Sequence, residues 1–266
     1  MTRATTASPA VTGLMIVKDR EPVIGAAVAS VLAQGSGDWE LIVVDAGARE
    51  GTVVAAGAAA AGDDRVRVVR NQGSPGIPGA RNHGLASARG RYLAICDSDD
   101  LSRPQRFAVE SAALDGDARL GGVGGLISIF ASDPDTGRVP DWRWGVPRGR
   151  PPFPFPAAMF RVAALRQVGG FDETYPVAED VTLAFDLAAA GWGLELLPEV
   201  LVDYRRSGDA THGNPRRHRL TLRAQLHGVR VLRGRFAPSG YAAIAQSAWR
   251  AGRETYRSRF STATAR

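Results

Sequence analysis

The chain has 266 residues, 44% of them hydrophobic, a formal net charge of +6 and a single cysteine, Cys96. That is enough apolar material for one large domain with an appendage, and one cysteine excludes an intrachain disulfide framework and fits a reducing compartment. No run approaches the roughly 18 apolar residues of a membrane span and no signal-peptide core precedes the first predicted strand, so a cytoplasmic protein is expected.

Residues 1–10 are polar and are expected to be a disordered start. Residues 11–17 form a short apolar run, read as the first strand. Over 21–34, Val23, Ile24, Ala27, Val31 and Leu32 recur at helical spacing, and Gly35 stops the pattern. Residues 39–44 predict a second strand closing on Asp45, 51–61 an Ala-rich helix, and 66–69 a third strand. The stretch 71–79 holds three Gly and two Pro and reads as a loop, followed by a short helix over 81–88. Residues 92–96 form a buried strand that ends abruptly in Asp97, Ser98, Asp99 and Asp100. Alternation of strand and helix argues for a parallel, Rossmann-like α/β sheet. Its strands would deliver Lys18, Asp19, Asp45 and the acids of 97–100 to one edge.

The second half is less regular. A helix is expected over 103–114 and a strand, weakened by glycines, over 121–130. The segment 131–156 is a long Pro-rich loop carrying Trp142, Trp144, Phe153 and Phe155, candidates for a flap over a ligand or for pins to the core. A helix over 160–168 leads to two glycines, then Glu179 and Asp180 open an amphipathic helix. Short strands follow at 194–197 and 200–204, and from Pro215 the pattern is helical and Arg-rich. From residue 200 onward there are 14 Arg against Asp203, Asp209 and Glu254, a net of +11, so residues 1–199 carry a net of −5. Leu222, Leu226 and Val229 form the apolar stripe of this basic region, suited to packing on the domain or on a second copy in a homodimer. Docking to an anionic membrane surface is the next reading. Nucleic acid is set aside, because no recognised binding module is present.

Three carboxylates at a strand end repel one another unless something cationic offsets them, and strand ends of open α/β sheets are where ligands bind. The simplest reading is a divalent cation holding a diphosphate. The plain alternative is a helix cap, with Ser98, Asp99 or Asp100 preceding a helix that starts near Arg103 and Pro104.

Five ordered stretches carry a resemblance. They are Val43-Val44-Asp45, the segment from Gly79 to Leu85, Asp97-Ser98-Asp99-Asp100, Gly169-Gly170-Phe171-Asp172-Glu173 with Glu179-Asp180, and the run from Ala190 to Arg205. In this order they resemble the family 2 glycosyltransferases with the GT-A fold, from about residue 14 to 204. The resemblance implies a GT-A domain over 11–212, with a nucleotide-binding half at 11–100 and an acceptor-side half at 101–212, and a C-terminal helical extension over 213–266. It implies that Val17, Asp19, Asp45, Asp97 and Ser98 face the nucleotide sugar and that Arg81 reaches its diphosphate. Asp99 would ligate Mg2+ or Mn2+, with His212 a further metal candidate, while Asp100 is read as a helix cap. Asp180 would be the general base of an inverting transfer, Glu179 would assist, and Trp142 and Trp144 would face the acceptor. UDP is the family's commonest nucleotide, with dTDP or GDP as alternatives, and the acceptor would be a carbohydrate, a lipid-linked sugar or a natural product. Three positions depart from the family pattern: Ala46 replaces a second acid, Val17 to Asp19 lack the usual Thr, aromatic and Asn, and His212 stands a few residues late. A silent nucleotide-sugar-binding scaffold and a nucleotidyltransferase are the rival functions.

Overall fold

The computed structural model describes residues 8–35, 38–142, 145–206, 215–233 and 236–260. Trp144 and His212 lie outside the described residues. Strands β1 (Val11–Val17), β2 (Trp39–Asp45), β3 (Val66–Arg70) and β4 (Tyr92–Asp97) run parallel, in the spatial order β3-β2-β1-β4. The central three are almost continuously buried, as parallel strands covered on both faces must be. Helices α1 (Glu21–Leu32) and α2 (Glu50–Ala60) pack on one face, where Met15, Val43, Ile24 and Val28 meet. Helix α3 (Ile77–Ser87) packs on the other, where Leu14, Ile42, Val44 and Leu85 meet. Successive strand residues point to opposite faces, so one apolar run fills both cores.

Helix α3 starts four residues earlier than expected. Ile77 and Pro78 form its first turn, where proline's missing N–H costs nothing, so the predicted loop stops at Gly76. Strand β5 (Leu101–Ser102) and helix α4 (Arg106–Gly116) follow the acid cluster. Strand β6 (Leu120–Phe130) tolerates its glycines because neighbours fill their space: a Cβ on Gly124 would lie 2.6 Å from the Phe153 ring.

The helix expected over 160–168 is instead strand β7 (Ala158–Arg161) followed by helix α5 (Val162–Gln167). Strand β7 lies antiparallel between β4 and β6, with Phe160 opposite Leu93 and Gly122. Helix α6 (Glu179–Ala189) follows the loop after α5. The two short strands expected near 194–204 form one long strand, β8 (Gly193–Arg205), paired antiparallel with β5 and, through register shifts, parallel with β6. The eight strands form one sheet, ordered β3-β2-β1-β4-β7-β6-β8-β5.

Helices α7 (Pro215–Val231) and α8 (Pro238–Phe260) complete the described chain. The expected stripe on α7 is rotated. Ala224, Gln225 and Leu232 are buried, while Leu226 is 52% exposed. Gly228 explains the rotation: a Cβ there would lie 2.4 Å from the Phe185 ring, so α7 approaches α6 at its glycine rather than along Leu222, Leu226 and Val229.

Candidate active site

Parallel pairing brings the strand ends together. Val17 is the register partner of Asp45, and Ile16 of Asp97. The Val17 side chain is fully buried, so only its backbone belongs to this edge; its carbonyl accepts the Ala46 N–H. Asp45 spends one oxygen on its own turn, accepting from Gly47 N at 3.0 Å and Ala48 N at 2.7 Å. Asp19 sits in the left-handed region, with φ of 50°, and its carboxylate accepts from Arg49 N at 3.3 Å.

The acid cluster divides by environment. The Asp97 side chain keeps 36% of its surface open and stands 3.9 Å from Arg81 Nη2. Asp99 pairs with Arg20 at 3.2 Å. Ser98 is buried. Asp100 does not cap a helix: α4 begins at Arg106, its N-cap is Gln105, and no side chain caps it. Asp100 instead turns inward and accepts from Arg205 N at 2.7 Å, fastening the turn to β8. Burial first, then the neighbouring Asp97, pushes the Asp100 carboxyl up to about 9. Asp97 is also raised, first by burial and then by the Asp99 and Glu179 charges, with Arg81 pulling against them.

Arg81 is not a surface residue. Only 8% of its side chain is exposed, it pairs with Glu179, and its guanidinium lies 4.7 Å from the Phe155 ring centroid and 5.6 Å from that of Phe171. Through Arg81, Asp97 and the start of α6 come together, which sets Glu179 and Asp180 beside the strand-end cluster. Phe153 and Phe155 form no flap: Phe153 is buried, and both pack around Phe160. Trp142 is half-buried, and its indole N–H has no hydrogen-bond partner among the described residues.

Three residues were missed from sequence. Asn82 binds the backbone of Phe171 through both ends of its amide. Arg106 and Glu110 form a fully buried pair behind β4, with Arg106 donating to the carbonyls of Ile95 at 2.7 Å and Ala158 at 3.2 Å. Arg106 and Glu110 are four apart on a helix, a spacing that also describes countless surface pairs. For Asn82 only its place beside Arg81, in the segment from Gly79 to Leu85, offered a signal.

The donor chemistry of the cluster fits a hard divalent cation. Asp97 and Asp99 offer carboxylate oxygens, and a cation would offset both the burial that chiefly raises Asp97 and the smaller repulsion from Asp99 and Glu179. Among the described residues no group of three His, Cys, Asp or Glu side chains could enclose a metal. One or two carboxylates would therefore supply the protein's share, with phosphate oxygens of a substrate supplying more.

The family model described as glycosyl transferase family 2 matches residues 14–166, which span β1 to α5 and include the acid cluster. EpsE of Bacillus subtilis (strain 168), named as a glycosyltransferase, is 29% identical over 210 residues, 76% of this chain and 75% of its own length. WfgD of Escherichia coli, named UDP-Glc:alpha-D-GlcNAc-diphosphoundecaprenol beta-1,3-glucosyltransferase, is 37% identical over 30% of this chain and 31% of its own length. The mannosyltransferase PcManGT from Pyrobaculum calidifontis, solved in complex with GDP-Man and Mn2+, shares the fold with a TM-score of 0.65, over 98% of this chain and 77% of its own, at 20% identity. A curled α/β sheet with flanking helices, an acid-lined strand edge and a family match over more than half the chain lead to one assignment: this chain is a glycosyltransferase of the GT-A fold and belongs to glycosyl transferase family 2.

Proposed function

We propose that the enzyme transfers a sugar from a nucleoside-diphosphate sugar to an acceptor hydroxyl by a single, inverting displacement that depends on Mg2+ or Mn2+. The observation that supports this reading is that Arg81 pairs with Glu179 and stands 3.9 Å from Asp97, so the acids we assign to the donor and to the acceptor lie close together. In it, Asp97, Ser98, Asp45 and Asp19 line the nucleotide-sugar side, and Asp97 accepts from the ribose. Asp99, with Asp97 beside it, would hold the cation together with the diphosphate. When bound, that cation supplies positive charge to a leaving diphosphate. Asp180 takes the proton from the acceptor hydroxyl as its oxygen forms the new bond to the anomeric carbon. The old carbon–oxygen bond breaks on the opposite face, and its electron pair leaves with the diphosphate.

UDP is the favoured nucleotide and GDP the alternative, consistent with the donors named for WfgD and PcManGT. A lipid-linked acceptor is the favoured class, on the strength of the acceptor named for WfgD. The C-terminal helices suit a peripheral membrane contact at the cytoplasmic face: from 210 to 253 there is no Asp or Glu, and Leu226, Tyr241 and Trp249 are exposed.

Two substitutions test the roles. Asp180→Asn is expected to keep nucleotide affinity and lower transfer by about 10²–10⁴-fold, the usual worth of a positioned base. Asp99→Ala is expected to abolish the Mn2+-dependent part of UDP or GDP binding in calorimetry. Transfer near the wild-type rate in the first variant, or unchanged Mn2+ dependence in the second, would overturn the corresponding role. A chain that binds nucleotide yet turns over no donor with any acceptor would be the silent scaffold.

A further inference from the structure

We propose that Arg81 and Asn82 form a latch between the two halves of the enzyme: positioning residues that hold the acceptor-side loop and the start of α6, and with it Asp180, against the donor-side sheet. This rests on the reading of Asp180 as the base.

Two neighbouring side chains on α3 grip different parts of the acceptor side. Asn82 Oδ1 accepts from Phe171 N at 2.8 Å, and its Nδ2 donates to Phe171 O at 2.9 Å and to Glu173 Oε1 at 2.8 Å. A side-chain amide thus satisfies the full backbone pairing of one loop residue, as a neighbouring strand would. The chain must turn tightly to present Phe171. Gly169 and Gly170 do so with φ of 84° and 80°, and a Cβ on Gly170 would lie 2.5 Å from Asn82 Oδ1.

Arg81 grips the next piece. Its firm partner is Glu179, and its buried guanidinium also lies against the Phe155 and Phe171 rings. Its distance of 3.9 Å to Asp97 is beyond hydrogen-bonding reach. The start of α6 lacks the usual fastening: its N-cap is Ala178, left-handed at φ of 69°, with no side-chain cap bond. Arg81 supplies that fastening from outside the helix. Because Asp180 follows Glu179 directly, fixing Glu179 fixes the first turn that carries the base. Arg81 therefore serves acceptor geometry rather than diphosphate binding.

Two variants of the full chain test this. Asn82→Ala removes the grip on Phe171. The double variant Arg81→Met/Glu179→Leu removes both charges of the ion pair together, the change that buried pairs tolerate best. For each, calorimetry gives affinity for UDP and for GDP with Mn2+, hydrogen exchange reports on 169–182, and turnover is split into transfer to acceptor and hydrolysis of the donor by water. A latch predicts nucleotide affinity within about threefold of wild type, faster exchange across 169–182, and transfer lowered on the order of 100-fold, the cost of misplacing a catalytic group by about 1 Å. It also predicts a higher ratio of hydrolysis to transfer, which partial unfolding would not produce because it lowers both together. Asp180→Asn, measured alongside, reports separately on the base. Nucleotide affinity weakened by about tenfold or more with exchange unchanged would make Arg81 a diphosphate ligand and overturn the latch. Unchanged transfer in both variants would overturn it as well.

Discussion

Glu40 illustrates how much one buried acid can organise. It is 1% exposed on β2 and accepts from Thr12 Oγ1 at 2.8 Å, Arg89 N at 2.8 Å and Arg67 Nη2 at 3.0 Å, tying β1, β3 and the turn before β4 together at the strand starts, opposite the acid cluster. Burial alone would push its carboxyl up, but the hydrogen bonds from Arg89, Thr12 and Arg67 outweigh it and hold the group below its ordinary 4.5. A depressed carboxylate stabilises the fold above its unfolded-state value, and that contribution is lost as pH falls through the folded value. Glu40→Gln should therefore cost on the order of 3 kcal/mol at pH 7 in urea titration, and the gap to wild type should narrow as pH drops below about 4.5. A constant gap down to the acid transition would show that Glu40 acts by packing alone. Burial likewise raises the Cys96 thiol, up to about 11, as suits a small core residue rather than a nucleophile.

At the scale of elements, α3 joins the halves, and its seat is tight. A Cβ on Gly79 would lie 2.1 Å from the backbone oxygen of Ser74, and one on Gly84 would lie 2.2 Å from the buried Leu14. Gly79→Ala must move backbone, so it should cost about 1–3 kcal/mol, read as a lower Tm, and should lower transfer more than nucleotide affinity because Arg81 and Asn82 shift with the helix. Equal Tm and equal transfer would mean that the 71–76 loop yields freely. The sequence disclosed the elements of residues 11–97 because its buried strands are apolar runs that end at polar or charged residues. It did not disclose β7, because Ala157, Ala158, Met159 and Phe160 make a short buried apolar run, which is ambiguous between strand and helix. The acids of 97–100 were legible as a cluster, but the inward turn of Asp100 was not. That turn depends on Arg205, a partner distant in sequence. The Arg81–Glu179 pair was hidden for the same reason, and the rotated face of α7 was hidden by a glycine that weighs little in a hydrophobic pattern.

Over the whole molecule, charge is divided unevenly along the chain, −5 over residues 1–199 and +11 from residue 200 onward. The acid-lined strand edge belongs to the half that carries the net negative charge, and the arginines concentrate on α7 and α8. No helix among the described residues is long and apolar enough to cross a membrane. If the C-terminal helices lie on an anionic surface, the chain should float with phosphatidylglycerol vesicles and not with neutral phosphatidylcholine ones. Replacing the exposed Arg219, Arg233 and Arg250 by Gln should remove about 1 kcal/mol each and weaken partitioning on the order of 100-fold. Equal partitioning onto neutral vesicles, or none onto either, would exclude that contact.

The antiparallel position of β7 has a consequence for the protein's birth. Strands β1 to β4 are all made once residue 97 has left the ribosome, yet the outer edge of β4 pairs with residues 158–161. Throughout that interval a nascent chain carries an apolar strand with unpaired backbone groups along one side, a template for another chain to join. Slow synthesis or truncation between those points should leave a product prone to aggregation, even though every residue of the acid cluster is already present.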